Sequence, residues 1–372
     1  MRWSKERIWE WYNSRPWMRG CNYMSADCAN RIDQWQELGF EERFKTTEAE
    51  LALARETGFN TVRILPEYVV WKEEHDGFME RFDRYLSLCH KYGQSVMVIL
   101  ANDCMPPMSE DWELPRLGPQ HYDWGYHGGR KRSQHGPHTE PAPHYYLDDP
   151  VTRESYFDMV RELVTTYRND ERICIWDLYN EPGASRRYDI TLPNLKSMFE
   201  IVRQINPIQP LTVGMLRVRG DENVPLLPPD QYALENVDII SYHFYKDFNE
   251  HVRIINRLKK EGRPILCTEW LCRCTKNDVF TCFPLFYLEK IGCYNWGFVA
   301  GKYQTYEPWE NTWFNYENGT NTDVDFTKWF HDLYRPSHRP YDPKEIELIK
   351  QFCAYADEDF ERERSRHQEG TV

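Results

Sequence analysis

The sequence predicts an α/β fold, a (β/α)8 TIM barrel, formed by a single catalytic domain over residues 1–372. Three observations predict it. Short apolar runs alternate with longer amphipathic ones, and eight such pairs fill most of the chain. No Gly-rich phosphate loop follows any of the apolar runs, which disfavours a doubly wound open sheet. The two longest connections follow the third and eighth strands and would emerge at the C-terminal face of a barrel, where substrates bind.

Each element has a local reason. Trp17–Met24 is the first strand. Thr47–Thr57 reads as a helix stopped by Gly58, and Asn60–Leu65 as a buried strand. Phe78–Tyr92 is helical with Gly93 as its stop, followed by the third strand, Ser95–Ala101. Pro150–Tyr167 is a helix, Arg172–Asn180 the fourth strand and Leu192–Ile205 a helix. Pro210–Met215 and Val237–Tyr245 are the fifth and sixth strands. Asn249–Gly262 is helical, Pro264–Glu269 is the seventh strand, Asp278–Lys290 a helix and Cys293–Val299 the eighth strand. Pro343–Ala356 is a closing helix, after which the charged tail from Asp357 on is expected to fray. Cys104–Leu147 and Gly301–Arg339 are too long to be plain linkers and are rich in ring-bearing residues and Pro or Asn.

Composition narrows the function. Hydrophobic residues make up 41%, enough for a sizeable core, and the net charge of −13 disfavours nucleic acid and anionic membranes as partners. No apolar run reaches the ~18 residues of a membrane span. The 11 Cys lack zinc or redox spacing, and several sit in apolar runs, which suits reduced thiols in the cytoplasm. The first residues lead into no apolar signal segment. The 14 Trp and 24 Tyr mostly fill the core, and a surplus suits a cleft that stacks sugars.

Two strand ends carry chemistry. Trp176-Asp177-Leu178-Tyr179-Asn180-Glu181-Pro182-Gly183 is a hydrophobic strand stopped by Pro and Gly, leaving Asn180 and Glu181 at the barrel mouth. Pro264-Ile265-Leu266-Cys267-Thr268-Glu269-Trp270 is a second apolar strand ending in Glu. Strand alternation would send Ile265, Cys267 and Glu269 into the barrel together. Alone, the first motif could be a turn with an exposed Glu and the second a structural ion pair. Together they supply what a retaining glycosidase needs, a protonated carboxyl and an ionised one about 5–5.5 Å apart.

With these residues in view, the chain resembles clan A glycoside hydrolases, the 4/7 superfamily, and within it family 5. The resemblance implies Glu181 as acid/base and Glu269 as nucleophile. It implies that Arg63, in Asn60-Thr61-Val62-Arg63-Ile64, holds the nucleophile ionised, and that Asn180 meets the sugar 2-hydroxyl. His243 lines the site, Tyr245 bonds the nucleophile, and Trp296 floors the subsite of the terminal sugar. Family 5 members usually carry a histidine at the end of strand three. This chain reads Ala101-Asn102-Asp103-Cys104, so Asn102 or Asp103 is expected to take that contact.

Other candidates are weaker. His121, His127, His135, His138 and His144 could suggest a metal, but barrel metallohydrolases take histidines from strand ends, so neither metal nor cofactor is expected. Glu67, Glu307, Glu310 and the run Arg130-Lys131-Arg132 read as rim or surface charges. The expected function is a retaining, exo-acting β-glycosidase, a β-mannosidase on small imported oligosaccharides, because the two long loops would wall the cleft into a pocket. The alternatives are an endo-acting β-glucanase or β-mannanase of the same clan and, from another class, an inactive carbohydrate-binding barrel.

Overall fold

The computed structural model describes residues 1–109, 113–131, 133 and 136–369. Eight parallel strands close into one barrel in chain order. They are β1 (Arg19–Asn22), β2 (Thr61–Ile64), β3 (Ser95–Ile99), β4 (Ile173–Asn180), β5 (Leu211–Met215), β6 (Ile240–His243), β7 (Ile265–Trp270) and β8 (Gly292–Trp296). All eight lie inside or within a residue of the spans expected from the apolar runs.

Two cores result. The large one lies between strands and outer helices, where Trp35, Phe82, Tyr85, Trp176, Tyr242 and Trp270 are buried. The small one fills the barrel's lower interior with Met18, Met97, Ile175, Ile239, Leu266 and Tyr294. Helix Lys5–Asn13, absent from the sequence reading, adds Ile8 and Tyr12 to this inner cluster. Ser4 caps it by accepting from the Arg7 N–H, and the Tyr12 hydroxyl donates to Lys290 O at 2.9 Å. A second helix missed by the apolar pattern is Pro228–Asn236, between β5 and β6.

Two expectations are corrected. The closing helix does not fray at Asp357; it runs Pro343–Glu369. Arg19 pairs with Asp357 at 2.7 Å and the Tyr287 hydroxyl donates to Asp359, so the first turns of the charged tail are tied to the barrel. Along β7, Ile265 and Cys267 do not enter the barrel. They pack in the outer layer, while Leu266 belongs to the inner cluster and the Thr268 hydroxyl bonds Ser241. The pairings of β7 with β6 and with β8 both slip near Glu269, and this irregularity breaks the alternation and turns Glu269 into the cleft.

The close approach of β1 and β2 requires glycine at position 20, since a Cβ there would lie 1.8 Å from Thr61 O. Gly20→Ala should therefore cost ~2 kcal/mol or more, read as a lowered denaturant midpoint. An unchanged midpoint would show that the two strands can part without penalty.

Candidate active site

The site is built around Arg63, an inward residue of β2, whose side chain is fully buried. Its Nε and Nη2 donate to Asp177 Oδ2 at 2.9 and 2.7 Å. Nη1 donates to Asn22 Oδ1 at 2.6 Å and to Glu269 Oε1 at 3.0 Å, and Nη2 also donates to Asn180 Oδ1 at 2.7 Å. One guanidinium thus orients groups from β1, β4 and β7. A buried cation on this scale is tolerable because its donors are met by two carboxylates and two amides.

Glu181 and Glu269 enter the same cleft. Glu181 follows β4 with φ of 50°, a left-handed conformation that non-glycine residues rarely hold, and its N–H donates to Gly214 O at 2.8 Å. The Tyr245 hydroxyl donates to Glu269 Oε2 at 2.6 Å. His243 Nδ1 lies 2.7 Å from Glu181 Oε1 and 3.4 Å from Glu269 Oε2. Nδ1 faces these acceptors, whereas Nε2 is buried with no partner among the described residues, so the neutral ring carries its proton on Nδ1. Burial keeps that ring neutral, with its pKa lowered to about 4. A Cβ at Gly214 would lie 2.6 Å from His243 Nε2 and 3.0 Å from Arg63 Nη2, so only glycine lets the two side chains pack there.

Ligand atoms of Glu181, His243 and Glu269 lie within 4.8 Å of one another. The nearest carboxylate oxygens therefore lie close together, which fits the ~5–5.5 Å spacing of a retaining pair better than the wider spacing of an inverting one. Three such groups could in principle also grip a cation. Here Glu269 already receives a positive charge from Arg63, and Cys104 Sγ donates to Glu181 Oε2 at 3.0 Å.

The cleft has a volume of ≈ 580 Å³ and is lined by Asn102, Asn180, Tyr245 and Trp296, among others. Asn102 sits where a third-strand polar contact was expected, with its Oδ1 accepting from Asn180 Nδ2 at 2.8 Å. Asp103 does not line the cleft, and its expected substrate contact is corrected. It is fully buried and accepts from the Tyr179 hydroxyl at 2.9 Å, Gly183 N–H at 2.7 Å and Arg187 Nε at 3.0 Å. Arg187 also pairs with Asp148 at 2.6 Å, so Asp103 anchors the third loop.

The two long loops meet. Gly128 N–H donates to Tyr303 O at 2.7 Å, and Gln304 Nε2 donates to Asp123 O at 2.7 Å. His127 is buried against Glu307 O at 2.9 Å and accepts from Trp296 Nε1 at 3.4 Å. Among the described residues no other loop histidine joins it in a ligand cluster; His121 is exposed, and His135 and Arg132 lie outside the described residues. Glu67 bonds the Tyr146 hydroxyl at 2.9 Å and lies 3.5 Å from Arg31 instead of pairing with Arg63. Sequence reasoning also missed Asn22, Asp177 and Cys104. Asp177 stood in a quoted motif, but only the barrel's closure sets it beneath Arg63.

Burial raises the pKa of Glu181, against the lowering effects of Cys104, Arg63 and Arg217. Burial also raises Glu269, helped by the charge of Glu181, and this outweighs His243, Arg63 and Tyr245. The contacts expected of Arg63 and Tyr245 are present, but the low Glu269 pKa expected from them is not. The acid must stay protonated and the nucleophile ionised, so raised values move both limbs of a kcat/KM profile upward. The acidic limb should fall above ~4.3, the ordinary Glu value. Full activity persisting below that pH would contradict this.

Comparison with known proteins fits this geometry. Mannan endo-1,4-beta-mannosidase 8 of Oryza sativa subsp. japonica is 27% identical over 126 residues, covering 27% of this chain and 34% of the relative. The match thus spans about a third of that relative's length. An exo-beta-1,4-mannosidase from Opitutaceae bacterium strain TAV5 superposes with a TM-score of 0.57 at 17% identity, covering 93% of this chain and 60% of that one. A mutant of the glycoside hydrolase family 5 mannosidase from Rhizomucor miehei gives 0.54 at 13% identity, covering 93% and 95%. At such identities these structures speak to the fold alone. The model for Cellulase (glycosyl hydrolase family 5) matches residues 28–298. That match takes in β2 to β8 and both glutamates, and the chain belongs to glycosyl hydrolase family 5.

Proposed function

We propose that the chain is an exo-acting β-mannosidase working by double displacement, with Glu269 as nucleophile and Glu181 as acid and then base. The convergence of Glu181, His243 and Glu269 within 4.8 Å carries this reading. Glu269 attacks the anomeric carbon while Glu181 gives its proton to the departing oxygen, leaving a glycosyl ester on Glu269. Glu181, now ionised, takes a proton from water as that water attacks the same carbon and frees Glu269. Arg63 and the Tyr245 hydroxyl hold Glu269 in place as its charge is lost and regained. His243 and Cys104 hold the two oxygens of Glu181. The positive charge at the nucleophile comes from Arg63, so the reaction proposed here uses no metal or cofactor.

Exo action is supported by the wall that the two long loops form behind Trp296. The mannoside reading draws on the mannosidases and mannanases among the similar proteins. Eleven free thiols suit the cytoplasm as the setting, with small imported mannosides as substrates. One observation favours the endo-acting alternative: a second cavity adjoins the first and shares Arg31, Cys104 and Tyr303 with it.

Mannotetraose and soluble mannan separate these readings. The exo reading expects mannose released one unit at a time and little attack on mannan. Early products of mixed length would replace it with the endo reading. The roles are tested by substitution. Glu269→Ala should lose activity by at least ~10³-fold, and azide should restore it with a product of inverted configuration. Glu181→Ala should retain turnover only of glycosides with activated leaving groups. The opposite pattern would exchange the two roles.

A further inference from the structure

The cleft wall has a charge pattern opposite to that of the chain. The protein carries a net charge of −13. Yet among the described residues lining the cleft, Glu181 and Glu269 are the only acidic side chains, whereas Arg31, Arg217, Arg219 and Lys246 line it in addition to Arg63. Arg31 faces Glu67 at 3.5 Å. Arg217, Arg219 and Lys246 have no ion-pair partner among the described residues.

These three stand on one side of the cleft. Arg217 and Arg219 follow β5, and Lys246 follows β6. Because Glu181 N–H bonds Gly214 O, the segment leading from β5 to Arg217 starts beside the acid. Trp296 and its partner His127 come from β8 and the third loop. The cations therefore border the side from which Glu181 protonates the departing oxygen, away from the floor of the terminal sugar.

Arg217 is half-buried, with its guanidinium carbon 4.8 Å from the ring centre of Tyr188. This contact restrains the guanidinium, and among the described residues no acceptor takes a hydrogen bond from its N–H fork. The nearby Asp230 is buried and its pKa is lifted to about 7 by that burial, against the lowering effects of the Arg217 backbone N–H and of the Arg217 and Arg219 charges; its oxygens accept no hydrogen bond from either arginine side chain. A pre-positioned guanidinium with free donors at a cleft otherwise short of negative charge matches an oxyanion, which it can hold in two parallel bonds.

We propose that the leaving-group side of the cleft is an oxyanion subsite, and that the favoured substrate is a β-glycoside whose aglycone carries a phosphate or carboxylate. Arg217 binds the oxyanion directly, and Arg219 and Lys246 draw it in from the rim. This rests on the glycosidase reading above and adds the chemical class of the leaving group to it.

The test uses three β-mannosides with phenol leaving groups of similar acidity: 4-carboxyphenyl, 4-phosphonophenyl and the neutral 4-carbamoylphenyl. The wild-type protein should hydrolyse at least one anionic glycoside with a kcat/KM on the order of tenfold above the neutral one, with the advantage in KM. The advantage should shrink as salt is raised. A preference for the carboxylate points to an acidic sugar or organic acid, and one for the phosphonate to a phosphorylated aglycone. Arg217→Gln should erase the preference, and Arg217→Lys, which keeps the charge without the fork, should recover only part of it. Equal rates on all three glycosides, or a preference untouched in Arg217→Gln, overturns the subsite while leaving the glycosidase reading intact. Failure to hydrolyse any of the three overturns both.

Discussion

A single buried guanidinium organises this protein. Arg63 reaches from β2 to Asn22 on β1, Asp177 and Asn180 on β4, and Glu269 on β7. Its side chain and that of Asp177 are wholly removed from solvent. Losing one partner of such a pair strands the other charge, at a cost of about 3–5 kcal/mol. The arrangement therefore constrains the barrel and the site at once. Strands that are far apart in sequence must arrive in register for the cation to be satisfied, and only then are the two glutamates correctly placed.

The remaining groups serve the difference between two similar carboxyls. Glu181 and Glu269 share one chemical type and one cleft, and burial raises both. Their partners separate them. Glu269 has Arg63 and the Tyr245 hydroxyl, which favour its charge; Glu181 has a neutral imidazole and a thiol, which favour charge far less. The proposed mechanism requires the pair's single proton to rest on Glu181, and these partners favour that division, although the charge of Glu181 itself works against it by raising Glu269.

Much of this was legible in the sequence. Each apolar run became a barrel strand, and Glu181, Glu269, Arg63, Asn180, His243, Tyr245 and Trp296 all reached one cleft. What escaped had physical reasons. The irregularities at the ends of β4, β6 and β7 override strict alternation, so Cys267 faces outward while Glu269 faces the cleft. Asp103 looked like a rim acid, but its use depends on Arg187, which lies on a different loop. Asn22, Asp177 and Cys104 carry no motif of their own. Helix Lys5–Asn13 was missed because its buried face is short, only Ile8 and Tyr12, and Trp9 and Trp11 blur the apolar spacing. The tail beyond Asp357 reads as polar, and its contacts with Arg19, Tyr287 and Lys290, distant in sequence, show that it docks.

The central claim is that the carboxylate secured by Arg63 forms the bond to the sugar. Trapping tests it most directly: the protein is treated with an activated 2-deoxy-2-fluoro-β-mannoside, digested, and mapped by mass spectrometry. The account predicts one fluoromannosyl group per chain on the peptide containing Glu269, with activity lost in step with labelling. A label on Glu181 or another residue, or turnover with an inverted product and no label, would contradict it.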